Sequence, residues 1–265
     1  MHQQPVVVKG RIKLKDFDPG YSAGLEKDET KKTVDDLVTR IGEQQELLYA
    51  NGAQAVLLLF QGLDASGKDG AVGRVLNRVN PAGVEVANFK VPSDEERAHD
   101  FLWRVHRAVP RYGNIGVFNR SHYEGVLAER VLGLVSKKTW EKRYEQINAW
   151  EQMLVENHVV ILKFFLHLSP EEQLERFRER IENPRKNWKF SEADLDVRKK
   201  WSEYSEAYED MLNATSHSAA RWHIVPADRN WYRDFVIANT VVEAMDGLKL
   251  KWPKPKTDLS RIHLK

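Results

Sequence analysis

Five short apolar runs, separated by long segments of helical character, most constrain how this chain of 265 residues can fold. They span residues 55–60, 84–89, 114–119, 159–168 and 222–227. Most are rich in β-forming residues and are continuously apolar, as expected for strands that are buried on both faces of a parallel sheet. Strands that alternate with helices in this way predict a doubly wound α/β fold.

The segments between the apolar runs carry helix signals. Residues 33–50 place one apolar stripe on a helix: Val34, Leu37, Val38, Ile41 and Leu48. Ser93 and Glu96 have the spacing of a capping box at the start of a helix that follows the second run. Ser169, Pro170 and Glu172 form another helix start after the fourth run.

Composition excludes several classes of protein. Without cysteine, the chain has no disulfide and no cysteine metal site, which fits a cytoplasmic protein. The net charge of +2 does not suit a strongly basic nucleic-acid binder. No apolar run reaches the length of a membrane span, and the first residues are too polar for a secretory signal. We expect one domain over 1–265, with an irregular arm at 1–25 and a surface tail at 251–265.

The stretch "GLDASGKDG" at 62–70 has the spacing of a phosphate-binding loop and directly follows the first apolar run. A helix is predicted from about residue 68 to residue 79, before Pro81. Backbone N–H groups of the loop and the helix N-terminus favour bound phosphate, and Lys68 would neutralise a transferring phosphoryl group. The predicted phosphate-binding residues here are Gly62, Ala65, Ser66, Gly67, Asp69 and Gly70.

Two carboxylates distinguish this loop from the common pattern. Asp69 stands where Ser or Thr normally helps to hold Mg²⁺. Asp64 lies inside the loop, where its charge would repel phosphate unless a cation lay between them. Since Mg²⁺ favours carboxylates together with phosphates, Asp64 is predicted to anchor the metal, alone or with Glu124. The alternative is that Asp64 only caps the following helix.

The third apolar run ends in "FNRSHYEG" at 118–125. Asn119 occupies the place at the strand end where phosphate-loop proteins commonly carry a carboxylate. Arg120 is predicted to clamp a phosphoryl oxygen, and Glu124 to reach the metal or polarise the acceptor. A structural role remains open for Glu124, and His122 is interpreted as a packing residue.

A basic segment at about 176–195 is predicted to form a lid over the phosphates. Arg178 and Arg185, near the helix-breaking Pro184, are the predicted phosphate ligands, whereas Arg176 and Arg180 are assigned to ion pairs on the helix surface. A second basic set follows the second apolar run and comprises Lys90, Arg104, Arg107 and Arg111. It is predicted to contact the acceptor, with a plain surface role as the alternative.

In combination, these residues resemble the polyphosphate kinase 2 family over roughly residues 15–250. Its loop pattern G-x-D-x-x-G-K appears at 62–68 and its second motif at 119–124, while 183–195 and 225–234 resemble its lid and C-terminal segments. Many members carry Asp at position 119. Asn119 with Glu124 downstream is similar to the third class of the family, which is associated with phosphorylating both nucleoside monophosphates and diphosphates.

The resemblance implies a P-loop kinase-like three-layer sandwich with a five-stranded parallel sheet. It also implies Mg²⁺-dependent phosphoryl transfer, with Mn²⁺ as an alternative ion, from inorganic polyphosphate to AMP or ADP in a homo-oligomer, a dimer or a tetramer. Whether guanine nucleotides also serve is left open. By the resemblance, Asp64 and Lys68 are metal-linked and phosphate-binding, and Arg120 is the second-motif arginine.

Two other functions remain open at this point. The first is an ATP-dependent nucleoside monophosphate kinase of the thymidylate kinase type, which would ignore polyphosphate. The second is a sensor that binds nucleotide or polyphosphate without turnover. The joint presence of Asp64, Lys68 and Arg120 argues against the sensor.

Overall fold

The structure is a computed structural model that describes residues 6–262, with the backbone alone at Val6. Within these residues one sheet has six strands: β1 Val6–Val7, β2 Ala55–Gln61, β3 Val84–Asn88, β4 Ile115–Asn119, β5 Val159–His167 and β6 Trp222–Pro226. The strand order is β1-β6-β5-β2-β4-β3. Strands β2 to β6 are parallel, which confirms the five predicted strands and the α/β fold.

The described helices connect the strands. The α-helices are α1 Lys27–Asn51, α2 Lys68–Val75, α3 Asp94–Arg97, α4 Trp103–His106, α5 Ala128–Val131, α6 Lys137–Glu156, α7 Pro170–Glu182, α8 Glu192–Lys199, α9 Trp201–Thr215 and α10 Asn230–Gly247. Short 3₁₀ helices lie at Leu14–Asp16, Pro81–Gly83, His122–Gly125, Asn187–Lys189 and Leu259–Arg261. None of the helices in the described range has the length and apolar character that crossing a membrane requires.

Two helices differ from their predictions. Helix α2 ends at Val75 rather than near residue 79, because the chain turns and brings the Arg78 carbonyl against Gly42 of α1. A side-chain Cβ at Gly42 would lie 2.7 Å from that oxygen. The helix that the capping box of Ser93 begins is short, since the Asp100 side chain accepts a bond from the Leu102 N–H and competes with helical pairing.

Two apolar layers enclose the sheet. Helices α1, α2 and α10 cover one face, with Ile41 and Val236 among the buried residues of that layer. Helices α6 and α9 cover the other face, with Ile147, Met211 and Trp222 among the buried residues of that layer. This arrangement confirms the three-layer sandwich.

The described part of the N-terminal arm is anchored to the sheet and to α9. Strand β1 pairs antiparallel with β6, and the backbone of Ile12 exchanges two hydrogen bonds with the Asn213 side chain. The N–H of Leu14 donates to Glu209 at 2.8 Å. Residues 251–262 of the predicted tail are exposed. Residues 1–5 and 263–265 of the predicted arm and tail lie outside the described residues.

The strand order places the phosphate-binding loop at a switch in chain direction. Strand β2 lies between β4 and β5, and the chain leaves toward β3 on one side and reaches β5 on the other. In open α/β sheets, ligands bind beyond the carboxyl ends of the strands at such a point. The loop at 62–67 and the motif at 119–124 both begin there.

Candidate active site

The phosphate-binding loop leaves β2 at Gly62 and enters α2 at Lys68. Gly67 has φ of 93°, a conformation that favours glycine, and the Arg233 side chain fills the space where a Cβ would lie. Lys68 is buried, and its ammonium donates to the Gly62 carbonyl at 2.6 Å and the Leu63 carbonyl at 3.1 Å. Two carbonyl oxygens of the loop therefore hold the Lys68 ammonium in place.

Burial lowers the pKa of Lys68 to about 8, and the nearby Arg120 guanidinium acts in the same direction. The carboxylates of the site, led by Asp64, oppose this shift without cancelling it. Phosphate oxygens that bind beside Lys68 should therefore favour its charged form and pair with it, since a nearby anion stabilises the ammonium.

Arg120 reaches back to the loop from the end of β4. Its φ of 61° lies in the left-handed region, which is uncommon for a residue other than glycine. The Arg120 N–H donates to the Phe60 carbonyl, and its guanidinium donates to Asp64 Oδ1 at 2.5 Å. Burial opposes the charge of Arg120, but the carboxylates of Asp64 and Glu124 hold its pKa above the usual range. The structure thus joins the two motifs through an ion pair.

Glu124 stands beside this pair. Its carboxylate lies 3.2 Å from the Gln61 side-chain nitrogen in the amide orientation that also satisfies Ser121. Burial raises the pKa of Glu124, and Arg120 and Lys68 offset this only in part. Glu124 faces a small cavity of about 160 Å³ that is also lined by Phe101 and Arg104.

A cavity of about 470 Å³ opens above the loop. Its charged lining residues are Asp64, Lys68, Asp69, Arg120, Glu172, Arg176, Glu179, Arg180, Lys186, Lys189 and Arg233. The loop residues Ala65, Gly67 and Gly70 and the amides of Asn119 and Asn230 complete the lining. Cations outnumber anions, so the cavity suits a ligand with several negative charges.

The model of the polyphosphate kinase 2 family matches residues 24–253 of this chain. The chain belongs to the polyphosphate kinase 2 family. It is similar to the AMP/ADP-polyphosphate phosphotransferase of Meiothermus ruber, with 45% identity over 264 residues that cover 99% of each chain. The ADP-polyphosphate phosphotransferase of Rhodopseudomonas palustris is 44% identical over 89% of this chain and 85% of its own. The crystal structure of polyphosphate kinase 2 from Arthrobacter aurescens TC1 superposes with a TM-score of 0.92 at 38% identity, covering 94% of this chain and 90% of that one.

Among the arginines of the predicted lid segment, Arg176 and Arg180 line the cavity. Both also form the ion pairs that the sequence analysis expected, Arg176 with Glu172 and Arg180 with Asp194. The Arg176 guanidinium donates to the Ala65 carbonyl of the loop at 2.8 Å, and Arg180 lines the cavity beside Asp194. Arg178 points outward and pairs with Glu175, and Arg185 is exposed and absent from the cavity wall. The phosphate-binding roles of Arg178 and Arg185 remain predictions.

The second basic set is divided between two ends of the sheet. Arg104 lines the small cavity, and its guanidinium donates to the Lys90 carbonyl at 2.9 Å. The Lys90 side chain is exposed outside both cavities. Arg111 precedes β4 and binds Glu85 at the start of β3, so it lies at the amino ends of the strands, away from the loop. Arg111 is therefore not part of the proposed site.

Arg233 is the clearest residue that sequence reasoning missed. Arg233 is 3% exposed, and its guanidinium packs against Gly67 and Gly70. It lies in the segment 225–234, in which the sequence analysis named no ligand-binding residue. Asn230 and Asp234 hold it in place. The sequence contained a signal for this residue, because Arg233 lies in the first turn of the helix that follows the last parallel strand. That helix must start at the same sheet edge as the loop.

Proposed function

We propose that the chain transfers the terminal phosphoryl group of inorganic polyphosphate to AMP and ADP, forming ADP and ATP. The observation that carries this proposal is the chemistry of the larger cavity. Among its described lining residues there is no aromatic and no large apolar side chain. A donor nucleotide needs a surface for its base, whereas a chain of phosphates needs only N–H groups and cations. The cavity therefore favours polyphosphate over ATP as donor.

Basic side chains extend from the loop toward the lid and suit an extended polyanion. Arg176 lies against the loop, and Arg180, Lys186 and Lys189 continue the cavity wall through the segment after α7. Successive phosphoryl units of the donor would meet successive cations along this wall. Only the terminal unit would then reach Lys68 and Arg120.

In the transfer step, an oxygen of the acceptor's terminal phosphate attacks the terminal phosphorus of polyphosphate. The bond from that phosphorus to the bridging oxygen breaks, and the shortened polyphosphate leaves with the electron pair. The attacking oxygen is ionised near neutral pH, so the step needs no strong general base. Lys68 and Arg120 stabilise the charge that develops on the transferring group.

The donor set of the loop fits Mg²⁺, with Mn²⁺ as an alternative. Asp64 presents a carboxylate to the cavity at the place where the loop receives phosphate, and oxygen ligands from carboxylates and phosphates are those that Mg²⁺ prefers. We propose that Asp64 holds the ion, with Glu124 nearby. When bound, the ion neutralises phosphate charge and orients the reacting groups.

The acceptor nucleotide is proposed to enter from the small cavity beside Glu124. Phe101 offers an aromatic surface there, and Arg104 is a cation whose side chain is mostly buried. The resemblance to the third class of the family supports both AMP and ADP as acceptors. A homo-oligomer and a cytoplasmic location, also part of this proposal, rest on the resemblance and on the composition of the chain.

The test is ATP formation from long-chain polyphosphate and Mg²⁺, measured separately with AMP and with ADP. We expect ATP from both acceptors. ATP from ADP alone would retain the donor and remove AMP as an acceptor. A parallel reaction offers ATP and AMP without polyphosphate. Product only in that reaction would favour the ATP-dependent kinase, and nucleotide binding without product in any reaction would favour the sensor.

A further inference from the structure

One hydrogen bond connects the two positions at which this chain departs from common phosphate-loop proteins. Asn119 Nδ2 donates to Asp69 Oδ1 at 2.6 Å. Asp69 follows the loop lysine directly, and Asn119 ends the strand next to β2. In common phosphate-loop proteins the first position carries a Ser or Thr hydroxyl and a strand-end carboxylate lies nearby, and both serve Mg²⁺.

In this bond the donor and the acceptor are exchanged relative to the common arrangement. A Ser or Thr hydroxyl can donate to a carboxylate at the strand end, with the negative charge on the strand. Here the strand side chain is the donor, and the charge lies on Asp69 in the first turn of α2. The free N–H groups and the dipole of a helix N-terminus favour a carboxylate there. The end of β4 and the first turn of α2 are therefore joined as in common phosphate-loop proteins, but the carboxylate is on the helix rather than on the strand.

Asp69 is accessible to a ligand. It is exposed and lines the 470 Å³ cavity together with Asp64 and Lys68. Oδ1 accepts the bond from Asn119, and no side chain in residues 6–262 donates to the other carboxylate oxygen, Oδ2. Asn119 thus holds one oxygen of this exposed, cavity-lining carboxylate and leaves the other for a ligand.

We propose that Asp69 supplies a second protein carboxylate to the Mg²⁺ that accompanies the substrate phosphates, and that Asn119 is its positioning residue. The inference rests on the proposed function, because it concerns the metal of that same site. Mg²⁺ in phosphoryl-transfer sites is commonly held by one or two carboxylates and by phosphate oxygens. Asp64 and Asp69 provide two, and Asn119 holds the second in the way that outer partners orient metal ligands.

The test measures Mn²⁺ binding to the full chain in the presence of ADP and without polyphosphate. Water-proton relaxation separates Mn²⁺ in the protein complex from Mn²⁺ on ADP alone. Asp69→Asn keeps the shape of the side chain and removes its charge, so we expect the affinity for Mn²⁺ to fall by about tenfold or more. The matched control is Asp28→Asn, which removes an exposed carboxylate from the same position in α1 and should leave binding unchanged.

The double variant Asp69→Asn/Asn119→Asp decides whether the two residues act as a unit. It returns the carboxylate to the strand and the amide to the helix, so it should recover most of the affinity that Asp69→Asn loses. A purely structural role for the pair would not produce such recovery in metal binding. Asn119→Ala should weaken Mn²⁺ binding less than Asp69→Asn does, because it disturbs the orientation and leaves the charge.

Wild-type affinity in Asp69→Asn, no recovery in the double variant, or no protein-bound Mn²⁺ in wild type would overturn the inference. ATP formation from polyphosphate is measured beside each titration. Absence of transfer in wild type would contradict the proposed function and leave the Mn²⁺ comparison readable. Normal transfer together with unchanged metal affinity in Asp69→Asn would contradict only the role of Asp69.

Discussion

Two ion pairs contact the segment that follows β4, one through Tyr123 and one through Arg120, and they differ in how many of their hydrogen-bonding groups are already used. Toward the core, Lys163 donates to Glu151 at 2.6 Å, to the Thr215 carbonyl at 2.7 Å and to the Tyr123 hydroxyl at 3.0 Å. Both members of this buried pair are 0% exposed. Toward the cavity, Arg120 is 41% exposed and Asp64 18% exposed.

The difference indicates a division of tasks within one short segment. In the buried pair, three donor bonds of the Lys163 ammonium are used, and Glu151 also receives bonds from Tyr123 and His217. Burial works to raise the pKa of Glu151, but Lys163 and its other donors hold it well below the usual range. Such a saturated cluster fixes the segment. Arg120 and Asp64 keep donors and oxygens available, so a ligand can bind them.

The largest effect is expected from a substitution in the ion pair at the cavity. Arg120→Ala should lower kcat for polyphosphate-dependent ATP formation by about 10³-fold, because an arginine that stabilises a transferring phosphoryl group contributes on that scale. The melting temperature should stay near that of wild type, since the side chain is partly exposed and its left-handed backbone strain remains in the variant.

The control for Arg120→Ala is Arg261→Ala, which removes an exposed Arg–Asp pair in the described tail. It should leave both kcat and melting temperature unchanged. An Arg120→Ala enzyme within a few-fold of wild type would show that the arginine does not take part in transfer.

The next largest effect is expected from a substitution in the buried ion pair. Glu151→Gln leaves the Lys163 charge buried without its counter-ion, which should cost about 3 kcal/mol of unfolding free energy. Urea denaturation measures this loss. The double variant Glu151→Gln/Lys163→Met should lose less stability than Glu151→Gln alone, because no unpaired charge remains. Equal stability of Glu151→Gln and wild type would contradict the role of the buried pair.

Arg180 and Arg178 allow a cavity residue and an outward residue of the same helix, α7, to be compared. Arg180→Ala removes a cation from the cavity wall and should raise the KM for polyphosphate by about tenfold, with a smaller change for AMP. Arg178→Ala removes an outward arginine of the same helix and should raise it less. Steady-state kinetics with varied polyphosphate measures both values. A larger effect for Arg178→Ala would restore the original prediction for the lid.

The pH dependence gives the smallest expected effect. Since the pKa of Lys68 is lowered to about 8, the free enzyme loses the lysine proton as the pH rises through that value. The ratio kcat/KM, which reports the free enzyme, should therefore fall several-fold above about pH 8. Bound phosphate raises the lysine pKa, so the fall in kcat should come at higher pH. An alkaline fall that persists unchanged in Lys68→Arg would assign it to another group.

Local patterns made most of the fold predictable. The continuous apolar runs located the five parallel strands to within one residue at their ends, and the glycine spacing located the loop on the correct edge. The position of Arg111 was also implied by the sequence, because a residue just before a parallel strand lies at the opposite edge from the loop.

Contacts between distant residues were not predictable from local patterns. Arg233 packs against Gly67, and Asn213 binds the arm at Ile12, although these partners are far apart in sequence. Charge did not show which side of α7 faces the protein, because most residues of the helix are charged and only Gln173 and Phe177 are buried. That buried side placed Arg176 and Arg180 at the cavity, which charge alone did not indicate.

The most direct test of the reaction centre is the rate of ATP formation from polyphosphate and AMP by Asp64→Ala, measured with its melting temperature. We predict a melting temperature close to that of wild type and almost no ATP, because Asp64 pairs with Arg120 at the loop and is the proposed metal anchor. A folded Asp64→Ala enzyme that forms ATP within a few-fold of the wild-type rate would contradict the account.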